Sequence, residues 1–312
     1  VRPLFSVQHP ADQPVSPRVL IHYFEGAMDA GNAGSLAVEQ LLMTLPNERL
    51  ATFDVDSLVD YRARRPVMTF THNTYSSVSM PELVLDLLHD DNGEDLLLLH
   101  GTEPDYRWDE FVGAVAHLAV SMGVSQAVGI GGIPMAVPHT RPTYVHFHGS
   151  QPDLLPTQAE IFGHVELPGS LAAYLEMRLG ELGLDSRGVS AAIPHYVARD
   201  EFPQGASALL TAVVQSTGLA LPVGDLEAAA SANRAEIDAE AAQQPEVSAV
   251  VSALEAQYDA LAPRISAADA SGAAPVLDLP SADEIGARLE AFLEANESGD
   301  LGQQGWSPSP EG

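Results

Sequence analysis

Eleven histidines, two glycine-rich connections and one arginine set among prolines carry most of this chain's capacity for chemistry. Four histidines stand just past apolar runs that read as strands: His72 after 67–71, His100 after 96–99, His148 after 143–147 and His195 after 189–193. Open α/β sheets bind ligands beyond the carboxyl ends of their strands, so these positions suit acid–base or ligand-binding work. His146 and His148 are two apart, share one strand face and could both meet a metal ion. Local spacing fixes no third ligand, so no metal is assigned. Each histidine also fits a hydrogen-bonded structural role.

The first apolar run enters a turn holding Gly26, Asp29, Gly31, Asn32 and Gly34 before a helix, where free backbone N–H groups could hold an anion. The glycines stand five and three apart, which is not the G-x-G-x-x-G dinucleotide spacing, and Asp29 would repel phosphate. A tight turn with close helix–sheet packing is the alternative. A second segment, 129–142, runs through Gly131 and Gly132 into proline-punctuated backbone with His139, Thr140 and Arg141. It reads as a crossover loop on a fixed path, or as the wall of a pocket with Arg141 as its anion-binding group. Ser76, Ser77 and Ser79 lie near His72, and Glu103 and Asp105 follow His100, but no G-x-S-x-G elbow occurs and no triad can be assembled.

These residues must be positioned by a framework, and the apolar pattern supplies one. Strands are predicted at 19–24, 50–55, 67–71, 96–99, 127–130, 143–147 and 189–193, with helices at 34–43, 81–89, 108–122, 171–182 and 206–217. The alternation implies a three-layer α/β/α sandwich around a mixed, mostly parallel sheet, spanning 19–218 after an N-terminal arm at 1–18. The runs 19–24 and 96–99 are apolar on both faces, as central strands are. Beyond Gly218 strand signals stop. Residues 226–243 and 246–261 read as two helices broken at Pro245, a hairpin extension over 219–265. Val247, Val251, Leu254, Tyr258 and Leu261 form a narrow stripe facing either this protein's own body or another chain. The remainder, 266–312, reads as a linker at 267–275, a capped helix at 281–295 and a disordered acidic end.

Composition removes whole classes of function. With no cysteine, thiol catalysis, disulfides and zinc ribbons are excluded, and a reducing cytoplasm is the expected location. All fourteen basic residues are arginine, so Schiff-base chemistry and lysine-dependent phosphate loops are excluded as well. A net charge of −29 repels nucleic acid and anionic membranes, and neither is expected as a partner. Residues 219–312 carry 17 acidic and 3 basic residues, a density nearly twice that of the rest. No apolar run reaches the roughly 18–20 residues of a membrane span, and 1–17 lacks the pattern of an export signal. The first residue is valine, so a few residues are expected upstream of it.

One ordered set of short motifs is more specific than any of them singly. The run from Gly188 through Ile193-Pro194-His195-Tyr196-Val197, with Pro203 and Ala208-Leu209-Leu210 beyond it, resembles the bacterial branch of the proteasome assembly chaperone family. So do Gly26 with Asp29-Ala30-Gly31, Gly131 with Ile133-Pro134-Met135, His139-Thr140-Arg141-Pro142, and His148-Gly149, in that order over about residues 19–240. The resemblance implies a phosphorylase/hydrolase-like α/β/α sandwich and a scaffold that associates with itself or with sister chains, some relatives assisting assembly of proteasome rings. The expected function is a non-enzymatic, oligomeric binding or assembly protein without cofactor, a small ring such as a trimer, whose partners are itself and proteasome-like or other protein subunits. The alternative is a small-molecule binder or a hydrolase- or ligase-like enzyme. Its pocket at the sheet rim would draw on Gly26, Asp29, Gly31, Asn32, His72, His100, Gly131, His139, Arg141, His148 and His195. Convergence of His72, His100, Asp29 and Arg141 in space would favour that alternative.

Overall fold

The computed structural model describes residues 3–8, 15–158 and 163–271. In chain order the strands are β1 (Phe5–Val7), β2 (Val19–His22), β3 (Asn47–Phe53), β4 (Val67–Thr71), β5 (Thr74–Ser79), β6 (Leu83–His89), β7 (Asp95–Gly101), β8 (Gln126–Met135), β9 (Val145–Gly149) and β10 (Asp185–Pro194). The helices are α1 (Ala33–Thr44), a single turn α2 (Val55–Leu58), α3 (Trp108–Ser121), α4 (Leu171–Glu181), α5 (Pro203–Thr217), α6 (Gly224–Gln243) and α7 (Pro245–Ser271).

Eight strands make one sheet in the order β1-β3-β6-β7-β2-β8-β10-β9. β7, β2, β8 and β10 are mutually parallel, while β6, β3 and β1 on one side and β9 on the other pair antiparallel. Five of the eight strands, β2, β3, β7, β8 and β10, therefore point the same way. Parallel strands must be covered on both faces, and here they are. Val19, Ile21, Leu98, Val128 and Val189 pack under Leu41 of α1 and Leu209 and Val213 of α5. On the opposite face Leu20, Leu97, Leu99 and Ala127 pack under Phe111 and Val115 of α3 and Leu175 and Leu179 of α4. The layers thus follow from period-2 alternation in strands meeting period-3.6 stripes on helices.

Two sequence expectations are corrected. The expected helix at 81–89 is instead the strand β6, which begins at Leu83. Leu83 through Leu88 is buried on both faces between β3 and β7, and such a continuous apolar run has no periodicity to separate strand from helix. The deciding signal was the turn after it. The Asp90 carboxylate accepts from the amides of Asn92 (2.9 Å) and Glu94 (2.8 Å), and Gly93 takes φ +79°, closing a β6–β7 hairpin. Residues 67–71 are a strand, but not of the main sheet. β4 pairs only with β5, as a two-stranded arm exposed at every position.

Among the described residues, no helix is long and apolar enough to cross a membrane. α7 continues to Ser271, so the first part of the expected 267–275 linker is helical. The expected helix at 281–295 and the expected disordered end lie outside the described residues.

Glycine positions supply a direct test of this packing. A Cβ on Gly132 would stand 2.0 Å from the Ala30 carbonyl oxygen, whereas one on Gly113, inside α3, would meet nothing within 4 Å. Gly132→Ala should lower unfolding free energy by at least about 2 kcal/mol and Gly113→Ala should raise it by about 0.5–1 kcal/mol in urea denaturation.

Candidate functional site

The turn between β2 and α1 meets the end of β8 at the rim where an α/β protein would bind a ligand. Asp29 occupies that place. Its Oδ1 accepts hydrogen bonds from the amides of Gly34 (2.9 Å) and Gly132 (2.8 Å), and Oδ2 accepts from Ser35 (3.0 Å). The first free amides of α1 are an anion site by construction, and the chain fills it with its own carboxylate. The Tyr23 hydroxyl, raised well above its usual pKa by burial and by the Asp29 charge, hydrogen-bonds the same carboxylate. Gly31 takes φ +67° and packs its α-carbon against Phe202 and Ile193; its N–H donates to Ala198 O (2.8 Å) and its carbonyl accepts from Phe202 N–H (2.9 Å). Asn32 is left-handed too, at φ 48°, and Gly26 lies at φ +104° under the Arg64 guanidinium. Gly131 sits in β8 beside this junction. The structure therefore brings together Asp29, Gly31, Asn32 and Gly131, with the turn that follows His195, while Gly26 lies against Arg64 and Glu103.

His139, Thr140 and Arg141 are held by the C-terminal helices. His139 is 1% exposed; its Nδ1 lies 2.6 Å from the Tyr196 hydroxyl and its Nε2 lies 3.0 Å from Asp238 Oδ1 of α6. The Tyr196 hydroxyl also accepts from the His139 amide at 2.8 Å. One proton arrangement satisfies all three contacts: Tyr196 donates to Nδ1 and Nε2–H donates to Asp238. The Arg141 guanidinium forks onto Asp259 with two 2.7 Å bonds and reaches Glu255 at 3.1 Å, both on α7. The hydrogen bonds to Asp259 raise the Arg141 pKa further and lower that of Asp259. Arg234 donates to Thr140 O at 3.2 Å and Tyr258 to Pro142 O at 3.0 Å. Val251 and Leu254, two members of the predicted stripe, are buried. From Val251 to Tyr258 the stripe faces this protein's own body.

The remaining candidates lie apart. His100, on β7, meets Asp86 Oδ2 at 2.8 Å, and Arg49 Nε meets Asp86 Oδ1 at 2.6 Å. Burial pushes the Asp86 carboxyl up, but the hydrogen bonds from His100 and Arg49 outweigh it and hold it below the usual range. His100 borders an opening of about 540 Å³ with Arg64, Arg65, Ser79 and Glu82. A His–Asp pair is the base half of a nucleophilic triad, yet no hydrogen bond joins Ser79 to His100. His72 is at the tip of the β4–β5 arm with φ 57°, His148 pairs with Glu176 at 3.0 Å, and His195 packs edge-on against Tyr196. No hydrogen bond or ion pair among the described residues joins any two of His72, His100, Asp29 and Arg141. Of the four, only His100 lines either of the two openings described, the one it shares with Arg64 and Glu82.

Residues that sequence reasoning missed are the partners: Asp86, Tyr196, Asp238, Glu255 and Asp259. Glu255 and Asp259 are four apart, on the face that also carries Val251 and Tyr258, and that coincidence was the available signal. His22 was missed as well. It stands in a row across the sheet, His22–Gly129–Gly188–His148, in which each glycine makes room for a neighbouring imidazole. His22 is 1% exposed, neither ring nitrogen has a hydrogen-bond partner among the described residues, and burial with the nearby His148 lowers its pKa to about 4. Burial and His148 lower that of His146 to about 4 also.

Comparison with known proteins follows the same order of elements. The model of the PAC2 family matches residues 23–241. A structure of a Mycobacterium tuberculosis protein of unknown function is similar at 39% identity and TM-score 0.79, covering 84% of this chain and 90% of that one. A Corynebacterium glutamicum protein of unknown function is similar at 33% identity and TM-score 0.79, over 84% and 98%. A proteasome-assembly chaperone homologue from Mycobacterium tuberculosis is similar at 26% identity and TM-score 0.69, over 75% and 99%. No match is found among curated proteins.

Two outcomes are expected. Arg141→Gln removes the charge that both α7 carboxylates share, so limited proteolysis should cut within α7 at least tenfold faster than in the wild type while the melting temperature of the sheet changes little. An unchanged cleavage rate would mean that α7 is held without the fork. His22 binds a proton in the unfolded chain near pH 6.5 but resists it in the fold down to about 4, so stability falls as pH drops through that window. By pH 5 the loss should be about 2 kcal/mol relative to His22→Leu, compared in urea denaturation at pH 5 and 7.5.

Proposed function

The chain belongs to the PAC2 family, and from that premise we propose that it is a non-enzymatic binding and assembly protein that associates with itself and with other protein subunits, proteasome-like ones among them. The observation that carries this reading is the fate of the rim. Asp29 is consumed by three amides, Arg141 by two carboxylates and His139 by a tyrosine and an aspartate, all from the same chain. Groups spent on internal contacts are poor candidates for binding a substrate, whereas a rigid rim suits protein contacts. Similarity to the M. tuberculosis proteasome-assembly chaperone homologue supports the same direction.

Within this proposal the sandwich is phosphorylase/hydrolase-like in kinship, residues 19–218 are the folding core, 219–265 an extension that braces the His139–Pro142 segment, and the protein works in the cytoplasm. Bracing by an acidic hairpin gives its negative charge a structural use on one side and leaves carboxylates outward on the other, where they keep the protein soluble. The His100–Asp86 pair beside its opening is the feature that an enzymatic reading would start from.

Sedimentation velocity of the full chain at micromolar concentration tests the proposal, with one discrete homo-oligomer expected. A monomer at every concentration would contradict it. A thermal-shift screen of nucleotides, nucleosides, amino acids and divalent metals should give no saturable stabilisation; one that disappears in His100→Ala would transfer the function to the pocket.

A further inference from the structure

The main sheet has two outer strands, and they are protected differently. β1 is three residues long, too short to template another strand. β9 is five residues long. The Ala192 amide donates to Tyr144 O at 2.8 Å, so in the antiparallel register that follows, His146 and His148 bond β10 while the backbone groups of Val145, Phe147 and Gly149 point away from the sheet. A side chain stands in for the missing neighbour. Gln158 Oε1 accepts from the Phe147 amide at 2.9 Å, and its Nε2 donates to the Phe147 carbonyl oxygen. One carboxamide thus copies the two bonds that a strand would make to that residue. The Val145 amide, facing the same way, donates to no described residue.

The space beside that edge fits a strand as well. Val145 and Phe147 turn their side chains to the face that α5 covers, and they help to line a groove of about 570 Å³. Ala208 and Thr211 of α5 line it too, small side chains that let a neighbouring chain come close, as does Tyr258 of α7. No charged residue is in its walls, in a chain of net charge −29. Such a groove selects its occupant by backbone hydrogen bonds and apolar side chains.

The chain runs on from Ser271 to Gly312, and two apolar segments occur there. Ile285, Leu289, Phe292 and Leu293 repeat at helical spacing. Val276-Leu277-Asp278-Leu279 is bounded instead by Pro275 and Pro280, the pattern of a short edge strand. Extended, it sets Leu277 and Leu279 on one face and its single charge, Asp278, on the other, and prolines at both ends withhold donors from any further strand. The reach agrees. α7 rises about 20 Å between Tyr258 and Ser271 at ~1.5 Å per residue, and extended chain covers about 20 Å between Ser271 and Leu277 at ~3.3 Å per residue. We propose that residues 276–279 add to β9 of the same chain as a further strand, taking over the Phe147 bonds from Gln158, accepting from the Val145 amide and seating Leu277 and Leu279 in the β9–α5 groove. So seated, the segment closes this sheet edge to the strands of other chains.

The test uses the full chain. Amide hydrogen exchange is compared between the wild type and a variant carrying Leu277→Asp with Leu279→Asp, both checked for the same melting temperature. The Val145 amide should exchange slowly in the wild type and at least tenfold faster in the variant, while core amides of β2 and β8 keep their rates. Fast exchange at Val145 in the wild type, or slow exchange that survives both changes, would overturn the proposal. A second route does not depend on that variant's folding. Thr211→Cys with Leu277→Cys in this cysteine-free chain, treated with a short bismaleimide, should give a link within one chain, seen as a single-chain species whose tryptic peptides carrying positions 211 and 277 are joined. Absence of any link would refute the contact. Links found only between chains would place the segment on another copy and refute it equally.

Discussion

A single carboxylate at the end of β2 sets the geometry around it. Asp29 accepts from the first amides of α1 and from β8, fixing the helix over the sheet and the turn against the neighbouring strand in one group. That arrangement forces the glycines. Gly132 must lack a Cβ because the Ala30 carbonyl occupies its place, Gly34 because Tyr23 does, and Gly31 because its left-handed backbone lies on Ile193 and Phe202. Gly31 then exchanges backbone hydrogen bonds with Ala198 and Phe202, which delivers Tyr196 to His139 and so connects the sheet's rim to α6.

The same constraint engages, within the chain, residues at this rim that suggest chemistry. A helix N-terminus, a histidine and an arginine near strand ends are the usual ingredients of an anion site. Here each is neutralised from within, the helix by Asp29, the arginine by Glu255 and Asp259, the histidine by Tyr196 and Asp238. Among the described residues, an apolar arm stands exposed on one side of the sheet and a groove lined by uncharged polar and apolar side chains opens on the other.

The framework was largely legible before any coordinates. The strands at 19–24, 96–99, 127–130 and 189–193 and the helices α1, α3, α4 and α5 follow from periodicity and caps, because burial on both faces or on one stripe leaves a pattern in composition. β6 was not legible, since a strand buried on both faces is as uniformly apolar as a buried helix. β4 was recognised as a strand but placed in the wrong sheet, because alternation reports local conformation and says nothing about which strand pairs with which. β1, three residues long, is too short to leave a pattern. At the candidate site, the packing role of the glycine turn was readable from its spacing and from Asp29. The partners of Arg141 lie 114 and 118 residues away, and acidic residues on a helix look like a solvated face until their partner is seen.

Hydrogen exchange at four backbone amides tests the locked rim most directly: Gly34, Ser35 and Gly132, which donate to Asp29, and His139, which donates to Tyr196. If internal contacts consume these groups, all four exchange only through global unfolding, with the same denaturant dependence as core amides of β2 and β8. Fast exchange, independent of denaturant and slowed by an added small anion, would show instead an open rim waiting for a ligand.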